Sequence, residues 1–530
     1  MPSKPFSVQA ETILGGQGSF TYLVKEGQFR NSLAIDPDLE ATTGDDRPGG
    51  LLTPTPATAL TGDTMDAEPL WLNTNPKDDD VYVYDQSGKV YSVTLATDAI
   101  SDLNNGAALS SSSGNGSAYY DNFQYFAKNT DICRYGRLDG ARTYAQTYWT
   151  SDLSMSPLGN GVTYPSPKIG TSKYPNHPMH VHSTDRRLYF GDVMVNNGIN
   201  SGQGAIHFIE TKKTTTEGDT NNGSTYNALD LPYGVWPIDI DEYGTDLVIA
   251  AYEGNTTSGN TRSKRAKIYF WDRTAASFNK EVELPDPLCS ALENVNGVLY
   301  AFCGNPKSEG VRVLRFIGGY SYEEVGYLAD SQPPFPGATA HILSRVLFGG
   351  HSNSMSDYAS LYALGSKVSG VSNGLFNVMR FTGTAGTGAT ATSAIVPKNT
   401  DLAAPTYFLG WRDGTNFGID KNATTYGVSE FLSETFRIGK RFVINEIKIP
   451  LAQAVGANMT IAVKVVTDNG STSTTVGTIN NTNYSASERQ VTMRQAVFGN
   501  QDFYLQISWS GSSLLSVGLP ISITGEIIEN

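Results

Sequence analysis

Three cysteines in 530 residues are too few for a disulfide framework, so Cys133, Cys289 and Cys303 read as buried thiols of a protein made in the cytoplasm. Charge is sparse as well. Asp, Glu, Lys and Arg make up 17% of the chain, and the 52 acidic residues outnumber the 38 basic ones, for a formal net charge of −14. Such a shortage of Lys and Arg argues against gripping a nucleic-acid backbone or an anionic membrane surface. No run approaches the ~18 apolar residues of a spanning helix, and the amino end MPSKPFSVQAETILGG has no apolar signal-peptide core. Helix signals are nearly missing; SEFLSETFRIG (429–439) is the one modest candidate. What is plentiful is Gly (54), Tyr (28), Ser, Thr and Asn, a composition that suits strands and turns.

Self-similarity then sets the fold class as all-β, a β-propeller. A strand ending in an aromatic pair is followed by a loop and a second strand. The pairs are VYVYD (81–85) with KVYSVT (89–94), FQYFAKN (123–129) with DICRYGR (131–137), and RLYFGD (187–192) with GAIHFIE (204–210). DLVIAAYEG (246–254) with AKIYFWDR (266–273), GVLYAFCG (297–304) with VRVLRFIGG (311–319), and RVLFGGH (345–351) with ASLYALG (359–365) continue the series. A looser seventh pair is TYFLGW (406–411) with TNFGID (415–420). The intervals suit four-stranded blades of ~40–50 residues with insertions. Seven blades are expected, and six if the last pair belongs to the following domain. Unrelated β-sandwiches are the competing reading, although they would not repeat one paired-strand grammar. Within the fourth unit VWPIDID is expected innermost, then DLVIAAYEG, AKIYFWDR and the outer FNKEVELPD.

Three regions follow. Residues 1–65 do not repeat and read as an extended N-terminal arm, Pro-, Gly- and Thr-rich over 35–63. Its leucines Leu39, Leu51, Leu52 and Leu60 are expected to be buried on a neighbouring subunit. Residues 66–420 form the propeller, joined at its ends by a strand from one terminus completing a blade begun at the other. Residues 421–530 alternate at the spacing of a C-terminal β-sandwich, as in FVINEIKIPLA, MTIAVKVVTDN, DFYLQISWS and LPISITGEII.

Candidate chemistry is thin. His177-Pro-Met-His180-Val-His182 places His180 and His182 two residues apart, on one face of a strand, as paired metal ligands can be. His341 holds a similar place in the sixth unit. No third ligand can be named, so hydrogen-bonded channel histidines are the alternative, and no catalytic, cofactor or metal site is assigned. The run Asp239-Ile-Asp241-Glu-Tyr-Gly244-Thr-Asp246 faintly resembles a calcium loop but lacks its full spacing and distant Glu, and reads as a polar turn. Gly370-Val-Ser372-Asn-Gly374 matches a nucleophile elbow, and Gly386-Thr-Gly388-Ala-Thr-Ala391 a dinucleotide loop, each without the helix its chemistry needs. Trp149, Trp236, Trp271 and Trp411 could stack on sugars or fill blade interfaces.

With Trp411-Arg-Asp-Gly-Thr-Asn-Phe417-Gly-Ile, Phe436-Arg-Ile-Gly and Ile447-Lys-Ile leading into a sandwich behind a propeller and a Pro/Gly-rich arm, the chain resembles virion proteins of tailed bacteriophages. The tail-nozzle type is the nearest. The resemblance implies a non-enzymatic structural component of the particle, in the virion after synthesis in the host cytoplasm. It would act through contacts with other virion proteins and with copies of itself in a ring, without cofactor, sequence-specific nucleic acid or membrane insertion, and with a host glycan as a further partner. A receptor- or carbohydrate-binding tail protein and a secreted propeller hydrolase are the alternatives.

Overall fold

Alternating strands of the repeat bury both faces when each sheet is clamped between two others, and so the second strand of each unit is almost wholly apolar. In the computed structural model this arrangement is continuous around a ring. The structure describes residues 3–11, 13, 15–18, 28–37, 51–55, 57–74, 80–103, 113–121, 123–128, 132–136, 143–145, 177–194, 203–210, 223–253, 265–305, 310–329, 331–352, 358–365, 374–383, 389–396, 406–422 and 429–528.

Each blade runs outward from an innermost strand. Blade 1 starts at Pro69–Thr74, blade 2 at Ser113–Tyr120, blade 3 at Met179–Val181, blade 4 at Val235–Tyr243, blade 5 at Leu288–Val295, blade 6 at Thr339–Ile342 and blade 7 at Thr390–Ile395. Each of these strands touches the next, and that of blade 7 returns to that of blade 1. The order read for the fourth unit holds: Val235–Tyr243, Asp246–Glu253, Lys267–Trp271, Lys280–Glu283.

Aromatic rings fill the seams between blades. Tyr84 stacks on Phe126 at 4.3 Å (blades 1 and 2), Tyr189 meets Trp271 at 6.0 Å (3 and 4), Phe270 meets Phe316 at 5.7 Å (4 and 5), and Phe302 meets Phe348 at 4.9 Å (5 and 6). Such pairs contribute about 0.5–1.5 kcal/mol each beyond the area they bury. At two seams glycines make room for a neighbouring proline. A Cβ on Gly191 of blade 3 would stand 2.8 Å from the Pro237 ring of blade 4, and one on Gly410 of blade 7 would stand 2.8 Å from the Pro69 ring of blade 1. Both prolines flank a β-bulge in the innermost strand, a position where a missing N–H costs no ladder bond.

One strand lies outside the repeat read from sequence and one expectation changes. Thr390–Ile395 is the innermost strand of blade 7; its small residues TATSAI fit the crowded centre. SEFLSETFRIG is not helical. Ser429–Leu432 and Phe436–Arg437 pair with Asp502–Gly511, and Phe431 is buried between sheets. Among the described residues there is no α-helix.

The region read as a separate arm is distributed through the molecule. Ser3–Ala10 is an edge strand on Ile521–Ile528, and Asn31–Leu33 pairs with Ser429–Leu432, so the amino end contributes to both sheets of the C-terminal β-sandwich. Leu51–Leu52 pairs with Val517–Gly518. Ala57–Ala59 is the outer strand of blade 7, and Thr61–Gly62 runs parallel to the outer strand of blade 1. Leu51 and Leu52 are therefore buried within their own chain, and Leu60 packs between blades 1 and 7; Leu39 lies outside the described residues.

Two joints carry buried ion pairs. At the junction of arm and blade 6, Arg345 Nη1 donates to Asp36 Oδ2 at 2.9 Å, with both side chains shut off from solvent. Phe29 packs there between Phe376 and Phe431, at 4.8 and 5.3 Å. Between blades 7 and 1, Arg412 Nη1 lies 2.9 Å from Glu68 Oε2, and Ser393 Oγ donates to Pro69 O at 3.0 Å.

Candidate functional site

Convergence of seven innermost strands leaves an axial cavity of about 590 Å³. Its two sides differ in charge. Blades 3 to 6 contribute the titratable side chains His180, Asp239, Asp241, Glu242, Glu293 and His341, beside apolar ones such as Met179 and Leu292, whereas blades 1 and 7, across the ring, contribute the uncharged Trp71, Leu72, Asn73, Ala394, Ile395 and Val396.

Local strand grammar sets the polar side. Blade 4 ends its innermost strand Asp241-Glu242-Tyr243 before the tight turn at Gly244, and blade 5 ends its own Glu293-Asn294-Val295 before Asn296-Gly297. The same positions thus carry polar groups on neighbouring blades. Asp239 is a strut: Oδ1 accepts from Ile240 N at 2.9 Å and Oδ2 from Leu292 N at 2.7 Å, linking the two strands. Burial pushes its carboxyl well above the usual range despite these bonds. Asn294 Nδ2 donates to Glu242 O at 2.5 Å.

The remaining carboxylates meet histidines. His180 Nδ1 is 3.7 Å from Asp241 Oδ1, and its Nε2 is 3.5 Å from Glu242 Oε2. His341 Nδ1 is 2.6 Å from Glu293 Oε1. Burial pulls the His180 ring down, but the Glu242 hydrogen bond and the Asp241 charge outweigh it and hold the ring above its ordinary value. The Glu293 hydrogen bond does the same for His341. Glu242 is brought down to about 2, first by His180 and then by the Ser183 N–H, which donates to Oε2 at 2.8 Å. Asp241 goes the other way, pushed up to about 6 by burial, with Glu293 adding repulsion against the pull of His180.

His180 and His182 meet at one carboxylate although they do not share a strand face. The strand is only Met179–Val181 and His182 begins the turn. Both rings nevertheless reach Glu242 Oε2, His180 Nε2 at 3.5 Å and His182 Nδ1 at 3.7 Å, with ring centroids 6.4 Å apart. His182 is fully buried; its Nδ1 accepts from Thr184 N at 3.1 Å, which puts the neutral ring's proton on Nε2. Burial, then the Arg273 charge, lowers its basicity. His177 is buried within blade 3, 3.6 Å from Asp192. Among the described residues no group of three or more His, Cys, Asp or Glu is arranged to hold a metal.

The Asp239–Asp246 run is two strands and the turn between them. Ser372 and the residues 384–388 lie outside the described residues, as does Trp149. Trp236 and Trp271 are buried in blade 4, and Trp411 packs on Phe381 at 5.1 Å between blades 6 and 7. Asp241, Glu242 and Glu293 were not singled out as a group from sequence. The signal was the matched polar pair before the turn in units four and five.

No protein-family model and no curated protein sequence matches this chain. Solved structures do. The β-propeller domain of Cps50 (Swd1) from Myceliophteria thermophila aligns at 8% identity and TM-score 0.41, over 69% of this chain and 99% of that one. The WD40 repeats of RRP9 align at 10% and 0.41, over 70% and 99%. The Neurospora crassa Pan2 WD40 domain aligns at 9% and 0.38, over 69% and 95%. The likeness is one of fold, a β-propeller. These neighbours are WD40 propellers and not phage proteins, so the tail-protein expectation finds no support among them. That expectation rested on a propeller, arm and sandwich in sequence, and a propeller hosts many unrelated functions. The virion partners and the ring of copies find no support there either.

Proposed function

We propose that this chain is a non-catalytic binding protein whose axial cavity holds a segment of a protein partner. The observation that supports this reading is the cavity itself: about 590 Å³, within the range of ligand sites, with titratable groups from four blades facing an uncharged side. Among the described lining residues there is no serine, cysteine or lysine, and His180 and His341 are engaged by carboxylates and not by a hydroxyl they could activate. The rigidity of the ring, with its stitched joints, suits a preformed site.

The test is a peptide-display selection against the intact protein, repeated on Thr339→Trp, which fills the cavity from blade 6, and on Leu343→Asp at the adjoining turn. Thermal melting establishes that each variant is folded. Selected peptides are expected to lose binding to both variants. Peptides indifferent to both, or a selection that returns no binder, contradict the proposal.

A further inference from the structure

Four carboxyl groups line the polar side of the cavity (Asp239, Asp241, Glu242, Glu293), and among the described lining residues there is no Lys or Arg. The only titratable cations there are His180 and His341. His180 faces Asp241 and Glu242 of blade 4, with Glu293 of blade 5 beyond them and His182 on its own blade; His341 faces Glu293 and, farther off, Asp241. Arg273 and Asp185 stand behind, around His182. Once the histidines are neutral, the charge of this wall has no counterion among the described lining residues of the cavity. Across the ring, Trp71, Ile395 and Val396 present hydrocarbon and an indole whose buried Nε1–H has no hydrogen-bond partner.

We infer that the partner group received here is a basic side chain, its ammonium or guanidinium among Asp241, Glu242 and Glu293 and its alkyl stem along Trp71, Ile395 and Val396. The inference rests on reading the cavity as the binding site. A long basic side chain matches both walls at once, since its stem buries apolar area while its head keeps ionic partners. An acidic side chain meets repulsion, and a purely apolar one leaves the carboxylates uncompensated. Protonated His180 and His341 already occupy those carboxylates, so the arriving cation competes with their protons. Binding therefore releases protons and tightens as pH rises through the histidine range.

Calorimetry with three blocked alanine pentapeptides carrying lysine, norleucine or glutamate at the centre tests this on the intact chain. The lysine peptide is expected to bind ~10-fold or more tightly than the norleucine one, and more tightly at about pH 8 than at about pH 6. Glu293→Gln and Asp241→Asn should weaken the lysine peptide alone, and His180→Gln with His341→Gln should flatten the pH dependence; melting curves report folding in each case. Norleucine binding as well as lysine, a preference for glutamate, or tighter binding at the lower pH overturns the inference while leaving the cavity as a site. Failure of all three peptides overturns the site and the inference together.

Discussion

Two places in this molecule hold charge in different ways: the joints, where an arginine meets a carboxylate, and the axial cavity, where a histidine does. Asp36–Arg345 and Glu68–Arg412 are nearly closed to solvent, and a guanidinium stays charged at any pH a protein meets. They hold arm to blade and first blade to last across the pH range in which histidines titrate. His180 and His341 remain partly open, and their partners can exchange them for another cation. The difference separates permanent structure from an adjustable site, and each prediction below acts on one side of it.

The largest effect belongs to the amino-terminal strands. Deleting residues 1–60 removes the outer strand of blade 7, the edge strand of the sandwich and Asp36 in one step. Open strand edges pair between molecules, so the product should be insoluble, measured as the soluble fraction on expression. A soluble, cooperatively melting product would mean that the ring closes without its clasp.

Next come the joints themselves. Asp36→Ala or Glu68→Ala strands a buried guanidinium and should cost about 3–5 kcal/mol by denaturant unfolding. The paired replacement Asp36→Leu with Arg345→Met should recover most of that loss. If the single variants cost no more than a surface pair, the joints are not what keeps the ring shut.

In the cavity the stability effect is smaller and depends on pH. His180 and His341 are raised above 6.5, so their stabilisation is fully present below that value and is lost as pH rises through their folded values. Glu242, lowered from 4.5 to about 2, contributes above 4.5 and loses its contribution as pH falls toward 2. Asp241, raised from 3.8 to about 6, opposes it and lowers stability as pH climbs through that interval. The stability difference between the parent and His180→Gln/His341→Gln should therefore shrink from about pH 6 to about pH 9, followed by urea unfolding. A difference that grows with pH would assign those rings another role. Smallest of all is Glu293→Gln alone, expected within ~1 kcal/mol, because its histidine partner is well exposed.

Much of this architecture is legible in the linear chain, for a physical reason. Hairpin neighbours in a blade are neighbours in sequence, and VYVYD with KVYSVT or DLVIAAYEG with AKIYFWDR show apolar runs that only a doubly covered strand needs. What escaped depends on distant pairing. Ala57–Ala59 has no alternation of its own and becomes a strand only against Asn416–Asn422. TATSAI is too small and polar to look like a strand, yet those residues are what the centre of the ring admits. The site divides in the same way. His180 and His341 stood out as scarce residues on innermost strands, whereas Asp241 and Glu242 looked like turn polarity and Glu293 carried no motif. Packing of blade 5 against blade 4 brings the three together.

The account turns on the cavity as the place of binding. Hydrogen exchange of the intact protein, with and without the lysine-centred peptide, reads this directly. Slowed exchange is predicted in the inner-strand and turn segments 239–246, 291–298 and 339–345, and not in the outer strands Lys280–Glu283 and Ser321–Leu328. Protection confined to the outer strands or the sandwich, with the inner segments unchanged, would contradict it.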